Sequence, residues 1–373
     1  MGLSSAVNRF RPLLLGGACL FFALALLAWP QQAAAAMRDG LSLCGNVLIP
    51  ALFPFFVLSA LVVELDLCRY LGRLFGPVMA PLFRVNGSCA AALALGLVGG
   101  YPVGARTALG LYQSGQCSRT EAQRMLAFCN NCGPAFLVGV VGAGIFQSTA
   151  VGLLLYGVHI AAAGMVGLLF RFYKPQEGPS VVRSAPSHGP EVRFAAAFSR
   201  SVTGALQSLL NLCAFLLFFT VFLRILSLSG LPAALAALLG LPPVWVERLL
   251  TGLLELSSGV TALVDGPITV RLTLAAFLLG WAGLSVHCQV MALLDNSGLS
   301  LGTHLVGKLL HGLLSAALAF LLSPLLTAAH AAFLPAVSLA PASALIGPAA
   351  AAWGIWTALL TLAVYVEKKA VEK

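Results

Sequence analysis

Four polar clusters interrupt an otherwise apolar chain, and each has residue types and spacing suited to binding chemistry. The first is Gly99-Gly100-Tyr101-Pro102-Val103-Gly104-Ala105-Arg106. Its glycines allow a tight turn with free backbone N–H groups, and Arg106 adds a cation at the start of the next arm, so the tip could hold an anionic group. The second is Cys129-Asn130-Asn131-Cys132-Gly133-Pro134. Asparagine both donates and accepts, so Asn130 and Asn131 could bind a polar molecule or an ion at a break, or serve as glue between helices. A single Cys-x-x-Cys without a second ligand pair does not make a metal site, and none is expected. The third, Glu255 with Ser257, Ser258 and Gly259, puts a carboxylate in an apolar run. Such a group must face a cavity or a partner, and Glu255 could carry a coupling H+ or Na+ or pair with Arg106. The fourth is Gly283-Leu284-Ser285-Val286-His287-Cys288-Gln289, where Ser285, His287 and Gln289 alternate as expected of an unwound segment. Farther on, His304, Lys308 and His311 share one helix face and are expected to look onto a pore or the lipid headgroups.

The elements that must position these clusters are membrane spans. Of the 373 residues, 60% are hydrophobic and 9% charged, and the mean hydropathy is +0.96. Apolar runs of about 20 residues, each long enough to cross a bilayer, recur along the chain. These features exclude a soluble enzyme, a secreted disulfide scaffold and a nucleic-acid-binding domain. Arg9 and Arg11 before the run 13–29 imitate a signal peptide, but 17 residues exceed the usual apolar core of about 7–15, so a retained first helix is expected. The nine cysteines read as small packing residues.

The order of elements suggests an all-α polytopic protein of two inverted repeats, each with a re-entrant hairpin and a broken transmembrane helix. An N-terminal helix (1–37) precedes the first repeat (38–171). A cytoplasmic linker (172–200), a second repeat (201–325) and a C-terminal helix and tail (326–373) follow. In the first repeat come a span over 41–65 kinked at Pro50 and Pro54, and an amphipathic interfacial segment over 68–83. A hairpin over 88–112, a helix broken at Asn130–Pro134 and a span over 150–170 complete it. The second repeat matches these with a span over 202–226, interruptions within 244–263 and 268–294, and a span over 301–322. A last span is expected over 349–366. The runs Gly96-Leu-Val-Gly-Gly and Gly252-Leu-Leu-Glu-Leu occupy matching places in the two halves. Paired interruptions in inverted halves point to a binding site at the membrane midplane.

Charge supports this topology. Of the 21 Lys and Arg, Arg38, Arg248 and Arg271 fall in segments placed outside, Arg106, Arg224 and Lys308 lie in apolar runs, and the other 15 fall inside.

The four clusters together resemble those of the YlbJ-type sporulation integral membrane proteins, in the nucleoside-recognition (gate) domain group. The resemblance covers about residues 40–320; Cys132 stands where that family has Ser, and Val103 where a small residue is usual. It implies kinship with concentrative nucleoside transporters, with two hairpins and two unwound helices, and movement of dipicolinic acid across the outer forespore membrane. The expected activity is non-enzymatic transport of a small anionic metabolite. Gly100, Tyr101, Pro102, Gly104, Arg106, Asn130, Asn131, Glu255, Ser257, Ser258, Gly259, Ser285, His287 and Gln289 would form the binding site. A nucleoside carrier and a non-transporting assembly or gating subunit are the alternatives. The partners expected are the substrate, the lipid bilayer of the cell or outer forespore membrane, and further copies of the chain in a homo-oligomer, with no nucleic acid. Because the linker holds its Lys and Arg between two spans, a cysteine placed at Ser184 should resist an impermeant thiol reagent applied to intact cells. Efficient labelling from outside would reverse the topology.

Overall fold

The computed structural model describes residues 2–65, 68–180 and 194–333. The span expected over 349–366, the tail lysines and linker residues 181–193, Ser184 included, lie outside them. Among the described residues every regular element is helical. Five helices among these described residues are long and apolar enough to cross a membrane: Pro30–Val62, Thr149–Phe170, Phe194–Leu228, Ile268–Leu294 and Gly302–Pro324. With two sharply bent pairs counted as single spans the number rises to seven.

Helix α1 (Gly2–Ala28) leads to α2 (Pro30–Leu43), which passes through a π turn (Cys44–Leu48) into α3 (Ile49–Glu64). The span is thus 33 residues long and starts well before Leu41. Pro50 cannot donate to the carbonyl one turn before it, and the wider π turn lies directly ahead of that gap. The amphipathic segment is α4 (Cys68–Phe83), with Met79 and Phe83 buried and Leu74, Phe75, Val78 and Leu82 exposed. It meets the next arm at 105°. That arm is α5 (Ala90–Gly99), and α6 (Val103–Gln113) is its partner across the tip Gly100-Tyr101-Pro102. At 10 and 11 residues, neither is long enough to cross alone. Helix α7 (Arg119–Phe128) starts at a capping box made by Ser118 and Glu121, and ends at the expected break. The chain resumes as a π-helix (Ala135–Ile145), and α8 (Thr149–Phe170) follows.

The remaining helices follow after the linker. Helix α9 (Phe194–Leu228) is a 35-residue element whose first turns occupy the end of the hydrophilic stretch. Helices α10 (Leu231–Leu239) and α11 (Pro243–Leu254) are bent at 118°, and α12 (Leu256–Thr261) is the short second arm after a single extended residue, Glu255. Helices α13 (Ile268–Trp281) and α14 (Gly283–Leu294) form a span, followed by α15 (Gly302–Phe333). The fourth interruption is much smaller than the sequence suggests. Two left-handed residues, Ala282 (φ 78°) and Gly283 (φ 80°), turn the chain, and the helix re-forms at once. Gly280 is therefore helical, and Ser285, His287 and Gln289 lie on a regular helix rather than an unwound segment. Their alternation spreads them around that helix, with Ser285 and Gln289 one turn apart on a shared face.

Small residues set how closely each hairpin packs. A Cβ at Gly96 or Gly104 would collide with the Cys129 carbonyl, which lies between the two arms at the end of α7. In the second half, a Cβ at Gly259 would collide with the Gly252 backbone, and one at Gly252 with Leu278 near the end of α13. The two hairpins thus use the same device, backbone-to-backbone approach through facing glycines. Gly110, by contrast, has nothing within 4 Å of where its Cβ would stand. Gly96→Ala and Gly104→Ala should each cost more than the roughly 1–3 kcal/mol usual for overpacking, because backbone must move. Gly110→Ala should hold or raise the melting temperature in detergent. A melt in which all three variants match the parent chain would contradict this packing.

Candidate functional site

A broken helix leaves orphan carbonyls at its end and orphan N–H groups where the chain resumes, and within a bilayer these must be satisfied by protein. Here α8 and α15 supply the partners. His304 Nδ1 meets the Leu126 carbonyl at 3.2 Å, and Lys308 Nζ donates to the Asn130 carbonyl at 3.0 Å. Asn131 Nδ2 donates to the Phe128 carbonyl at 2.8 Å. On the far side of the break, the Cys132 N–H donates to His159 Nε2 at 3.0 Å.

Because carbonyls only accept, these bonds assign the histidine protons. His304 carries its proton on Nδ1, so its Nε2 accepts from His287 Nδ1 at 3.2 Å. His311 donates through Nε2 to the His159 carbonyl at 3.0 Å and accepts from Lys308 Nζ through Nδ1 at 3.0 Å. Lys308 also lies 5.1 Å from the centroid of the Tyr101 ring, and the Tyr101 hydroxyl donates to the Leu279 carbonyl at 2.8 Å. One polar network therefore joins the first break, α8, α15, the first hairpin tip and the end of α13.

With these backbone groups satisfied from behind, the other side of the break lines a cavity. Three of the interruptions and the first turns of α14 meet there. The first hairpin tip contributes Val98 to Tyr101, and the first break contributes Cys132 and Gly133. The second hairpin turn contributes Glu255, Leu256 and Ser257, and α14 contributes Ser285, Val286 and Gln289. Apolar walls come from the π turn (Leu48), α3 (Leu52, Phe55, Phe56) and α9 (Leu212, Leu216). Both carboxylate oxygens of Glu255 cap α12, accepting from the Ser257 and Ser258 N–H groups at 3.1 and 2.6 Å. The Ser285 hydroxyl and the Gln289 carboxamide make no hydrogen bond to another described residue. A mostly apolar cavity with a few convergent polar groups is the ordinary form of a small-molecule site.

Of the expected site residues, Gly100, Tyr101, Glu255, Ser257, Ser285 and Gln289 line this cavity. Asn130 and Asn131 do not: both are fully buried at the break, where they serve the backbone. Gly104 and Gly259 sit at helix contacts, and Ser258 acts through its N–H on Glu255. His287 turns away to His304 and the edge of Trp281. Pro102 and Arg106 line a separate cleft, so the Arg106–Glu255 pair does not form; Arg106 donates to Ser208 at 3.3 Å instead. His304, Lys308 and His311 face neither headgroups nor this cavity, each being 0% exposed in the core. His159 escaped sequence reasoning altogether, its only signal being the cost of a lone imidazole in an apolar run.

His159→Phe keeps the volume but leaves the Cys132 N–H without an acceptor, a loss of about 1–3 kcal/mol. Thr203→Ala on the exposed face of α9 removes only bonds to its own helix and should change stability by less than about 0.5 kcal/mol. Thermal melts of the two variants in detergent should differ accordingly; equal melts would contradict the capping role.

Comparison with known proteins agrees with this architecture. The family model Gate, described as nucleoside recognition, matches residues 47–175, which run from the π turn before α3 to the end of α8 and just beyond. No solved structure matches the chain. The sporulation integral membrane protein YlbJ of Bacillus subtilis (strain 168) is 31% identical over 350 residues, which cover 87% of this chain and 86% of that protein. At that identity and coverage, the chain belongs to the YlbJ family of multi-pass integral membrane proteins.

Proposed function

We propose that the chain is a secondary-transporter-like protein that moves a small dicarboxylate, dipicolinate, across the outer forespore membrane during sporulation. The observation that carries this reading is the convergence of both hairpin turns, the break after α7 and the start of α14 on one cavity, the arrangement expected of a midplane transport site. In this reading α5/α6 and α11/α12 are re-entrant hairpins, and the second half is the first in inverted orientation. Ser257, Ser285, Gln289 and the backbone N–H groups at the Gly100 tip hydrogen-bond the substrate, while the α3 and α9 walls pack on its ring. No covalent step is involved.

Glu255 then has a defined task. An ionised carboxylate in the same cavity repels an anion, so substrate and a cation must enter together. A proton, or Na+, on Glu255 removes the repulsion and couples the two. Lower pH on the loading side should therefore speed uptake by the parent chain. Glu255→Gln, neutral at every pH, should flatten that dependence while keeping the α12 cap through its carboxamide oxygen.

Expression in Bacillus subtilis lacking YlbJ tests the function itself. Spores carrying the chain should regain dipicolinate, and dipicolinate should accumulate in proteoliposomes containing it. If protein reaches the membrane yet spore dipicolinate stays absent, the substrate assignment falls. Uptake of uridine instead would favour the nucleoside carrier, and the absence of any uptake would favour an assembly role.

A further inference from the structure

Arg106 does not reach the inner cavity, yet it is exposed and nearly unengaged. Among described residues its guanidinium has one hydrogen bond, to Ser208, and no carboxylate partner. It lines a cleft between α6, α9 and α14. Ser208 and Asn211, a turn apart on α9, stand on one side of that cleft and Gln289 of α14 on the other. Gln289 also lines the inner cavity, so the two spaces share it as a wall. Pro102 of the hairpin tip borders the cleft directly after Tyr101 borders the cavity.

An exposed cation one turn beyond a membrane-embedded tip is costly unless it meets water or an anion, so the cleft must be wet or loaded. Four of the five guanidinium donors remain free, in the planar fork that fits a carboxylate through two parallel bonds. The Asn211 carboxamide and Ser208 hydroxyl can complete the shell. Gln289, with donors and an acceptor, can hand a ligand from one space to the other.

We infer that the Arg106–Ser208–Asn211 cleft is a separate outer site that captures a small carboxylate before it passes Gln289 into the inner cavity. The order of capture and passage rests on the transport reading of that cavity, whereas carboxylate binding at the cleft does not. Binding is read as the melting-temperature shift of the purified full-length chain titrated with dipicolinate or with its neutral diamide. Dipicolinate should raise the melting temperature of the parent chain and the diamide should not. Arg106→Gln and Asn211→Leu should each weaken the apparent affinity roughly tenfold or more, with Arg106→Lys in between, since Lys keeps the charge but loses the fork. In proteoliposomes the same two variants should raise KM and keep the maximal rate, while Ser285→Ala in the inner cavity lowers the maximal rate.

Equal affinity and KM in Arg106→Gln, Asn211→Leu and the parent chain would overturn the cleft, as would a parent chain that dipicolinate leaves unshifted or that the diamide shifts equally. Arg106-dependent binding without uptake by the parent chain would support the cleft and defeat the transport reading. Should Arg106→Gln fail to fold, Asn211→Leu and Ser208→Ala carry the comparison.

Discussion

A helix that breaks in the buried core of a protein has nowhere to find water, and the rest of this structure follows from how one such break is satisfied. The carbonyls at the end of α7 and the first N–H beyond it are met by Lys308, His304, Asn131 and His159. Only α8 and α15, packed against each other behind the break, can deliver the His159, His304 and Lys308 side chains there. Cys132, whose N–H is taken up by His159, can then stand with Gly133 at the wall of a cavity.

The second dependency is steric. A hairpin can bring its tip to a break only if its arms and the broken helix approach at backbone distance. Gly96 and Gly104 allow this around the Cys129 carbonyl, and Gly252 and Gly259 provide the equivalent contact between the arms of the second hairpin. The tip then ties the halves together, because Tyr101 reaches across to the Leu279 carbonyl while its ring covers Lys308. Charge is thereby sorted into layers. Lys308 lies behind the Tyr101 ring, Glu255 lies at the cavity itself, and Arg106 lies outside it beyond Gln289.

Much of this was legible in the chain, and the exceptions have physical reasons. The break at Asn130–Pro134 was visible because adjacent asparagines and a Gly-Pro pair both oppose a helix in an apolar run. The two short helices within 88–112 were visible because Gly99, Gly100, Pro102 and Gly104 divide the apolar stretch in its middle. The small break at Ala282 was overestimated, since polar residues in an apolar run mark a buried polar surface as readily as an unwound backbone. The spacing of His304, Lys308 and His311 revealed a shared face, but not that the face looks inward, because helical periodicity carries no direction. Partners supplied from far along the chain, such as His159 for Cys132 or Ser208 for Arg106, leave no local pattern at all.

The structure of the full-length chain bound to dipicolinate, determined by electron cryomicroscopy with an antibody fragment as a marker, tests most directly that the interruptions together form the substrate site. The account predicts ligand density between Tyr101, Cys132, Ser257 and Ser285, with Gln289 at its edge and His159 still bonded to the Cys132 N–H. A lipid chain filling that space, with dipicolinate bound elsewhere or not at all, would contradict it.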